Sequence, residues 1–413
     1  MRLLVVGGKL QGTEAVYLAA KAGWETVLVD RREAPPAAGL ADRHVVADVT
    51  ADEARAESLV TACDAVLPAC EDMRTLVWLA ERVPAWGVPL LFDLDAYRIS
   101  ESKLASQRLF AELDVPRPLP WPACGFPAVV KPDSASGSEG VSLVEDEAEL
   151  AAALARLAAG GHRPVVEEYA AGPSLSLEVL AWDGHAVPLQ VTGLEFDAGY
   201  DCKRVVAPVG EAEAGGPAAA GPGSCAWDRA APPGALAAFD AVALRVAAGL
   251  GLNGLMDIEV MVRDPEPTVL EIDARLPSQT PTAVYWSCGL NIVELLHDMA
   301  SRGAPPRIDR APRRACVYQH VHAHDGLLEV AGEHVMGSAA ALQLVEGFFG
   351  VDEALTDYRR GARTWAATLI ATGADLAEAR ACADEAVKEL ACHERLDLAL
   401  EADSPAGKEA TRS

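Results

Sequence analysis

The chain opens on an apolar run at 3–6, a glycine turn Gly7-Gly8-Lys9-Leu10-Gln11-Gly12, an alanine-rich segment ending at Gly23 and a second apolar run at 26–29. Strand, turn, helix and strand in that order make one βαβ unit. The runs Ala65-Val-Leu-Pro68 and Pro89-Leu-Leu-Phe92 continue to alternate with helical segments to about residue 98, which predicts a small parallel sheet covered by helices. A linker follows, with a helix at 103–113. From residue 126 the pattern becomes strand Ala128-Val-Val-Lys131-Pro132, a loop of eight small or polar residues at 133–140, strand 141–144, a helix, and Val165-Val-Glu167-Glu168-Tyr169, a small α+β unit. Alternating runs at 176–180 and 187–191 predict an antiparallel sheet. The stretch 211–234 is rich in Ala, Gly and Pro without periodicity and is expected to be a flexible surface insertion. A helix at 235–250, strands at 253–262 and 268–273 and a helix at 289–299 resume ordered structure, and the tail from about residue 404 is expected to fray. The expected divisions are 1–99, an α/β domain; 100–182, a small subdomain with the loop; 183–325, a second α+β subdomain; and 326–413, a C-terminal region.

Composition narrows what such a chain can bind. Its 413 residues suffice for two to four domains at about 100–200 residues each. The 61 acidic against 35 basic residues leave a charge of −26, which repels nucleic acid and anionic membrane surfaces. Nine cysteines are scattered with no C-x-x-C pair, which argues against a disulfide framework or zinc knuckle and for a reducing cytoplasm. The first apolar run is too short for a signal-peptide core, and no stretch reaches the roughly 20 residues of a membrane span.

Four groups of residues suggest chemistry. The glycine turn, with Asp30 ending the second strand, invites a nicotinamide site, but position 9 is Lys where that fingerprint needs glycine, and Thr13-Glu14 stands where a P-loop needs Lys-Ser/Thr. A tight turn presenting backbone N–H groups to another ligand fits better. Lys131 ends an apolar strand just before the small-residue loop, so its ammonium can reach phosphates covered by the loop amides; Lys103 is a second candidate. Asp257-Ile-Glu259 lies on one strand and Glu271-Ile-Asp273 on the next, so alternation lets up to four carboxylates line one site, an oxygen donor set suited to Mg²⁺. His320, His322 and His324 alternate and are either a polar strand face or metal ligands.

In this order the motifs resemble the ATP-grasp superfamily over roughly residues 1–300: an N-terminal α/β domain, Lys103, Val130-Lys131-Pro132 with its loop, Glu167-Glu168-Tyr169 then Gly172, Asp257, and Glu271-x-Asp273-x-Arg275. Stretches such as Phe92-Asp-Leu-Asp-Ala-Tyr-Arg-Ile-Ser100, Ser174-Leu-Ser-Leu-Glu-Val179, Tyr200-Asp-Cys202, Gly254-Leu-Met-Asp257 and Glu271-Ile-Asp-Ala-Arg-Leu-Pro-Ser-Gln-Thr-Pro-Thr282 resemble its pyrrolysine-biosynthesis branch, whose members join 3-methylornithine to lysine. That resemblance reaches to about residue 325, and the C-terminal quarter matches poorly.

The resemblance implies a pre-ATP-grasp domain followed by an ATP-grasp fold of two α+β subdomains, and an ATP- and Mg²⁺-dependent carboxylate–amine ligase. It implies two metal ions, with Mn²⁺ as a substitute, small amino-acid substrates and, by analogy with relatives, a homodimer. Lys103 and Lys131 would hold ATP phosphates under the loop carrying Ser134, Ser136, Gly137, Ser138 and Gly140. Glu167, Glu168 and Tyr169 would meet adenine, with Ser174 at the position that often binds ribose. Asp257, Glu271 and Asp273 would hold Mg²⁺. Arg275 would stabilise the oxyanion, since Leu255 stands where D-alanine ligases carry arginine. Lys9, Leu10, Gln11, Glu71 and Ser176 would line the amino-acid site, with Ser278, Gln279 and Thr280 binding amino-acid ends and Glu178 or Glu259 taking the proton. Another amino-acid ligase, or a nucleotide-binding module without turnover, remains the alternative.

Overall fold

The first hundred residues close into a four-stranded parallel sheet ordered Arg43–Val46, Glu25–Asp30, Arg2–Val6, Ala65–Pro68. The second of the two apolar runs expected there, at 89–92, contributes only a bridge between Leu90 and Val66. A computed structural model describes residues 1–134, 137, 140–211, 231–262, 265–303 and 308–399. Most of the expected insertion, the loop positions Ser136 and Ser138 and the expected frayed tail therefore lie outside the described residues. The ends of the insertion meet, Glu211 bridging to Ala231.

The glycine turn is a packing device. Gly7 adopts φ 109°, and a Cβ there would stand 2.3 Å from the carbonyl oxygen of Ala69. Asp30 accepts hydrogen bonds from the backbone N–H groups of Gly8 (2.7 Å) and Arg32 (2.8 Å). Its carboxylate closes the turn instead of reaching for a ribose.

The small unit is a three-stranded antiparallel sheet, Ser142–Val144, Ala128–Pro132, Pro164–Glu168, backed by the helix Glu147–Ala159. Its core of Ala128, Val130, Val144, Leu150, Ala153 and Leu157 is its own. The remaining strands among the described residues join one 12-stranded sheet, whose main path runs Thr268–Asp273, Gly254–Met261, Ser174–Trp182, Thr192–Phe196, Cys202–Ala207, Ala315–His324, Trp365–Gly373, Glu353–Thr356, Gln343–Glu346. The expected divisions at 182 and 325 cut this sheet: Ser174–Trp182 is one of its central strands, and Ala315–His324 pairs with Trp365–Gly373 from the C-terminal region. Local periodicity marks strands but not their partners. The N-terminal domain docks on the sheet through a shared core in which Leu3, Val5 and Leu18 join Leu180, Val205 and Ile370.

One helix boundary moves. Gly289, expected to begin a helix, ends the preceding one, Thr280–Cys288, in a left-handed conformation at φ 83°. The next helix, Ile292–Arg302, starts from Asn291, whose side chain accepts from Val293 and Glu294 N–H.

Candidate active site

Three neighbouring strands of the large sheet build one acidic face. Register sets Asp257 opposite Asp273 and Glu259 opposite Glu271 on one flank, and Asp257 opposite Glu178 and Glu259 opposite Ser176 on the other. Residues directly opposite share a face, so five carboxylates converge: the four expected and Glu178. The Ser176 hydroxyl donates to Asp257. Ser174 lies two residues before Ser176, buried, its hydroxyl without a hydrogen-bond partner among the described residues. So are both oxygens of Glu178, which is fully buried.

Crowding of like charges away from water raises these acids. Burial pushes the Asp257 carboxyl up to about 6. Burial and the neighbouring Asp257 push Glu178 up to about 8. Asp273 rises to about 7, by burial, with Glu271 adding to the rise against the opposing pull of Arg275. Glu259 is pushed well up by burial and by Asp257. Such a face is stabilised by cations.

Two come from the protein. Lys103, almost fully buried, places Nζ 2.9 Å from Glu271 Oε1, and although burial opposes its charge, Glu271 raises its pKa above the ordinary lysine value. The start of the phosphate-loop candidate holds this lysine's helix: Asp133 Oδ1 accepts from the Ser102 hydroxyl and from Leu104 N–H, both at 2.9 Å. Arg275 is the second cation, its Nη2 3.0 Å from Asp273 Oδ2 and its Nε 3.0 Å from Glu71 Oε1. Burial disfavours the guanidinium charge, but Asp273 and Glu71 outweigh it and hold its pKa above the ordinary arginine value.

Lys131 faces a different partner, Glu167 Oε1, at 2.5 Å, both side chains buried. Gln107 donates to the other oxygen of Glu167. Glu168 and Tyr169 tie the same strand end to the linker, Glu168 N–H donating to the Leu119 carbonyl (2.8 Å) and Tyr169 N–H to that of Pro127 (3.4 Å). In the loop, Ser134 and Gly140 are exposed, while Gly137 lines both the acidic cavity and the neighbouring cleft.

That cleft, about 770 Å³, runs from the acidic face to the glycine turn and takes in Lys9, Leu10, Gln11, Glu71, Arg275 and Ser278. Gln11 Nε2 donates to Glu71 Oε1 at 2.8 Å, so Glu71, expected to line the amino-acid site, is shared between Gln11 and Arg275. A cavity of about 100 Å³ joins it, lined by Asp257, Glu259, Glu271, Asp273, Gln279 and Thr280.

Glu333 lines both spaces. Its Oε2 accepts from Ser278 Oγ and Gln279 Nε2, each at 2.7 Å, and burial raises its carboxyl. Asp201 holds it in place by accepting from the N–H groups of Glu333 and His334, both at 3.2 Å, and from the His334 ring. No family model matches the chain. It is 34% identical to the 3-methyl-D-ornithine–L-lysine ligase of Methanosarcina barkeri over 337 residues, covering 81% of this chain and 83% of that one. The chain belongs to the 3-methyl-D-ornithine–L-lysine ligase family.

Its fold is the ATP-grasp fold of this ligase family's wider superfamily. Biotin carboxylase of Campylobacter jejuni superposes with a TM-score of 0.69 at 14% identity, covering 93% of this chain and 91% of that one. An L-amino acid ligase of Bacillus licheniformis superposes with a TM-score of 0.65 at 17% identity, covering 94% and 97%. The chain is thus an enzyme of the carbon–nitrogen ligase class. No helix among the described residues is long and apolar enough to cross a membrane.

Sequence reading missed three acids of this ligase. Asp201 lay unnoticed as an acid inside a recognised stretch, Tyr200-Asp-Cys202. Glu14 entered only as the residue that spoils a P-loop; it accepts from Thr282 N–H at 2.6 Å and so caps the helix Thr280–Cys288 from the other domain. Glu333 sits in a short connection with no periodic signal. The three histidines separate: His320 is buried with Nδ1 2.9 Å from Thr368 Oγ1, whereas His322 and His324 face Glu329 and line neither the cleft nor the acidic cavity.

Proposed function

We propose that this ligase joins (3R)-3-methyl-D-ornithine to the ε-amine of L-lysine through an acyl phosphate made from ATP. One observation carries the reading: five carboxylates meet Lys103 and Arg275 on one face at the end of an acidic cleft. Two cations against five acids leave a deficit that suits hard divalent ions. Asp257, Glu271 and Asp273 would hold Mg²⁺, two ions by this charge count, with Mn²⁺ as an alternative, and the metal would offset charge on the ATP phosphates. The acidic cleft suits substrates that each carry two ammonium groups.

Lys103 and Lys131 are already paired with carboxylates, Glu271 and Glu167. ATP phosphate oxygens would take over part of that pairing. The ornithine carboxylate oxygen attacks the γ-phosphorus, the bond to the β-phosphate oxygen breaks, and ADP departs. The lysine amine then attacks the acyl carbon, with the tetrahedral oxyanion stabilised by Arg275. Collapse expels phosphate and leaves the amide. The amine attacks in its neutral form, so its proton must be accepted nearby. Glu178 or Glu259 would accept it, in the ionised form that a divalent ion beside the acidic face would favour over the protonated form that burial favours. Ser278, Gln279 and Thr280 offer hydrogen bonds to amino-acid ends, with Ser176 beside them on the acidic face. Glu167, Glu168 and Tyr169 would form the adenine edge. By analogy the ligase is a cytoplasmic homodimer.

Incubation with ATP, Mg²⁺, L-lysine and 3-methyl-D-ornithine tests the reading by mass spectrometry. ADP and an amide-linked product, both lost in Asp257→Ala, are expected. ADP without that product keeps the ligase and rejects the substrates, and no ATP turnover with any amino acid overturns the enzyme mechanism.

A further inference from the structure

A second cluster of metal-ligand residues lies on a hairpin of the large sheet. Strand Ala315–His324 turns at Asp325-Gly326 and returns as Leu327–Val330, with His322 directly opposite Glu329. His324, two residues along, shares the face of His322. The imidazole rings stack with centroids 4.7 Å apart and planes inclined by 28°. His324 Nε2 lies 2.9 Å and His322 Nδ1 3.8 Å from Glu329 Oε1, and all three donor atoms lie within 4.8 Å of one another.

Those separations fit an ion. Four ligands at zinc bond lengths of about 2.0–2.1 Å stand about 3.3 Å apart at the corners of a tetrahedron. The two nitrogen–oxygen separations bracket that spacing, so small side-chain rotations bring the atoms onto one centre. The far nitrogen of His324, Nδ1, lies 3.5 Å from Asp325 Oδ2, a carboxylate placed as those that orient metal-bound imidazoles are. The three side chains are 26%, 30% and 39% exposed, so the sheet backs the cluster and one side stays open for water as a fourth ligand.

We propose that His322, His324 and Glu329 bind one divalent transition-metal ion of the zinc, nickel or cobalt class. The two nitrogen donors distinguish this site from the all-oxygen acidic face, which suits Mg²⁺. Glu329 also lies four residues before Glu333, and Ala331 N–H between them donates to the His320 carbonyl at 3.2 Å. A bound ion therefore pins the segment that carries Glu333 to the cleft.

Titration of the full chain with Co²⁺ in excess Mg²⁺, followed by visible d–d absorption, tests the proposal. The expected result is one absorbing Co²⁺ per chain, displaced by Zn²⁺. His324→Ala and Glu329→Gln should each weaken it by more than about tenfold, since even outer-shell changes cost that much, and far-ultraviolet circular dichroism should show both variants folded. A Zn²⁺-dependent rise in Tm should be present in the wild type and lost in both. Absence of Co²⁺ absorption, or absorption that survives both substitutions, overturns it.

Discussion

Arg275 and Glu71 form an ion pair at 3.0 Å that joins the acidic sheet to the N-terminal domain. The same guanidinium pairs with Asp273 at 3.0 Å, and the same Glu71 oxygen accepts from Gln11. A chain of one hydrogen bond and two ion pairs thus runs from the glycine-turn helix to the strand Thr268–Asp273. An arginine held by two carboxylates is fixed in place and remains charged at any accessible pH.

Its proposed role at the oxyanion separates from its structural one by substitution. Arg275→Lys keeps a positive charge but loses the planar fork. Removal of one oxyanion donor costs about 2.7–4 kcal/mol, or 10²–10³ in kcat, and a loss within that range is expected with KM for ATP little changed. Single-turnover measurement of acyl-phosphate consumption checks it. A kcat near wild type would assign Arg275 to domain docking alone.

Lys131 and Glu167 are both buried, 8% and 3% exposed at the side chain. Lys131→Met strands the Glu167 carboxylate, and breaking a buried pair in this way costs about 3–5 kcal/mol. Lys131→Met/Glu167→Gln should recover most of that stability in urea unfolding while ATP turnover stays lost. Recovery of turnover with stability would show that the lysine serves only its partner and not the nucleotide.

Much of the acidic face is legible in sequence because it rests on a period of two. Asp257 with Glu259, and Glu271 with Asp273, alternate with Ile258 and Ile272, so strand alternation alone puts each pair on one face. That the two pairs share one face is a matter of register between neighbouring strands, and that Glu178 joins them is a matter of register with a strand about 80 residues earlier, which no local pattern contains. The same limit hid the continuous sheet across residues 182 and 325. Glu333 left no sign at all, because its place is set by Asp201 accepting hydrogen bonds from residues 132 and 133 positions later. The histidine alternation was visible, but burial took His320 out of the group and strand pairing put Glu329 in its place.

Glu14 makes stability depend on pH in an identifiable window. Burial raises its carboxyl from 4.5 to about 7, against the hydrogen bonds from Thr282 that favour the charged form. The folded state therefore keeps a proton that the unfolded chain releases, so this contribution is fully present below about pH 4.5 and is lost as pH rises through 7. At 1.36 kcal/mol per pKa unit the loss is on the order of 3 kcal/mol. Glu14→Gln still accepts from Thr282 N–H but does not ionise. Its Tm should exceed that of the wild type at pH 8 and match it near pH 5, as thermal unfolding at both values would show; an equal difference at the two pH values would remove the titration from the account.

Glu333 offers the sharpest division between substrates. One of its oxygens is taken by Ser278 and Gln279, while Oε1 faces Gly137 across the junction of cleft and cavity. A carboxylate raised by burial and exposed to an incoming cation gains most when an ammonium group neutralises it. Glu333→Gln preserves the shape and still accepts from Ser278 but removes the charge. A hydrogen bond to a charged group is worth about 1.5–3 kcal/mol, so KM for one diamino acid should rise by about 10- to 100-fold. KM for ATP should not move, because the lysines proposed for the phosphates pair with Glu271 and Glu167 instead. Steady-state kinetics with each of the three substrates varied in turn decide the matter: a rise confined to the ornithine or to the lysine assigns that ammonium to Glu333, and an equal rise for ATP would make Glu333 a support of the loop at Gly137.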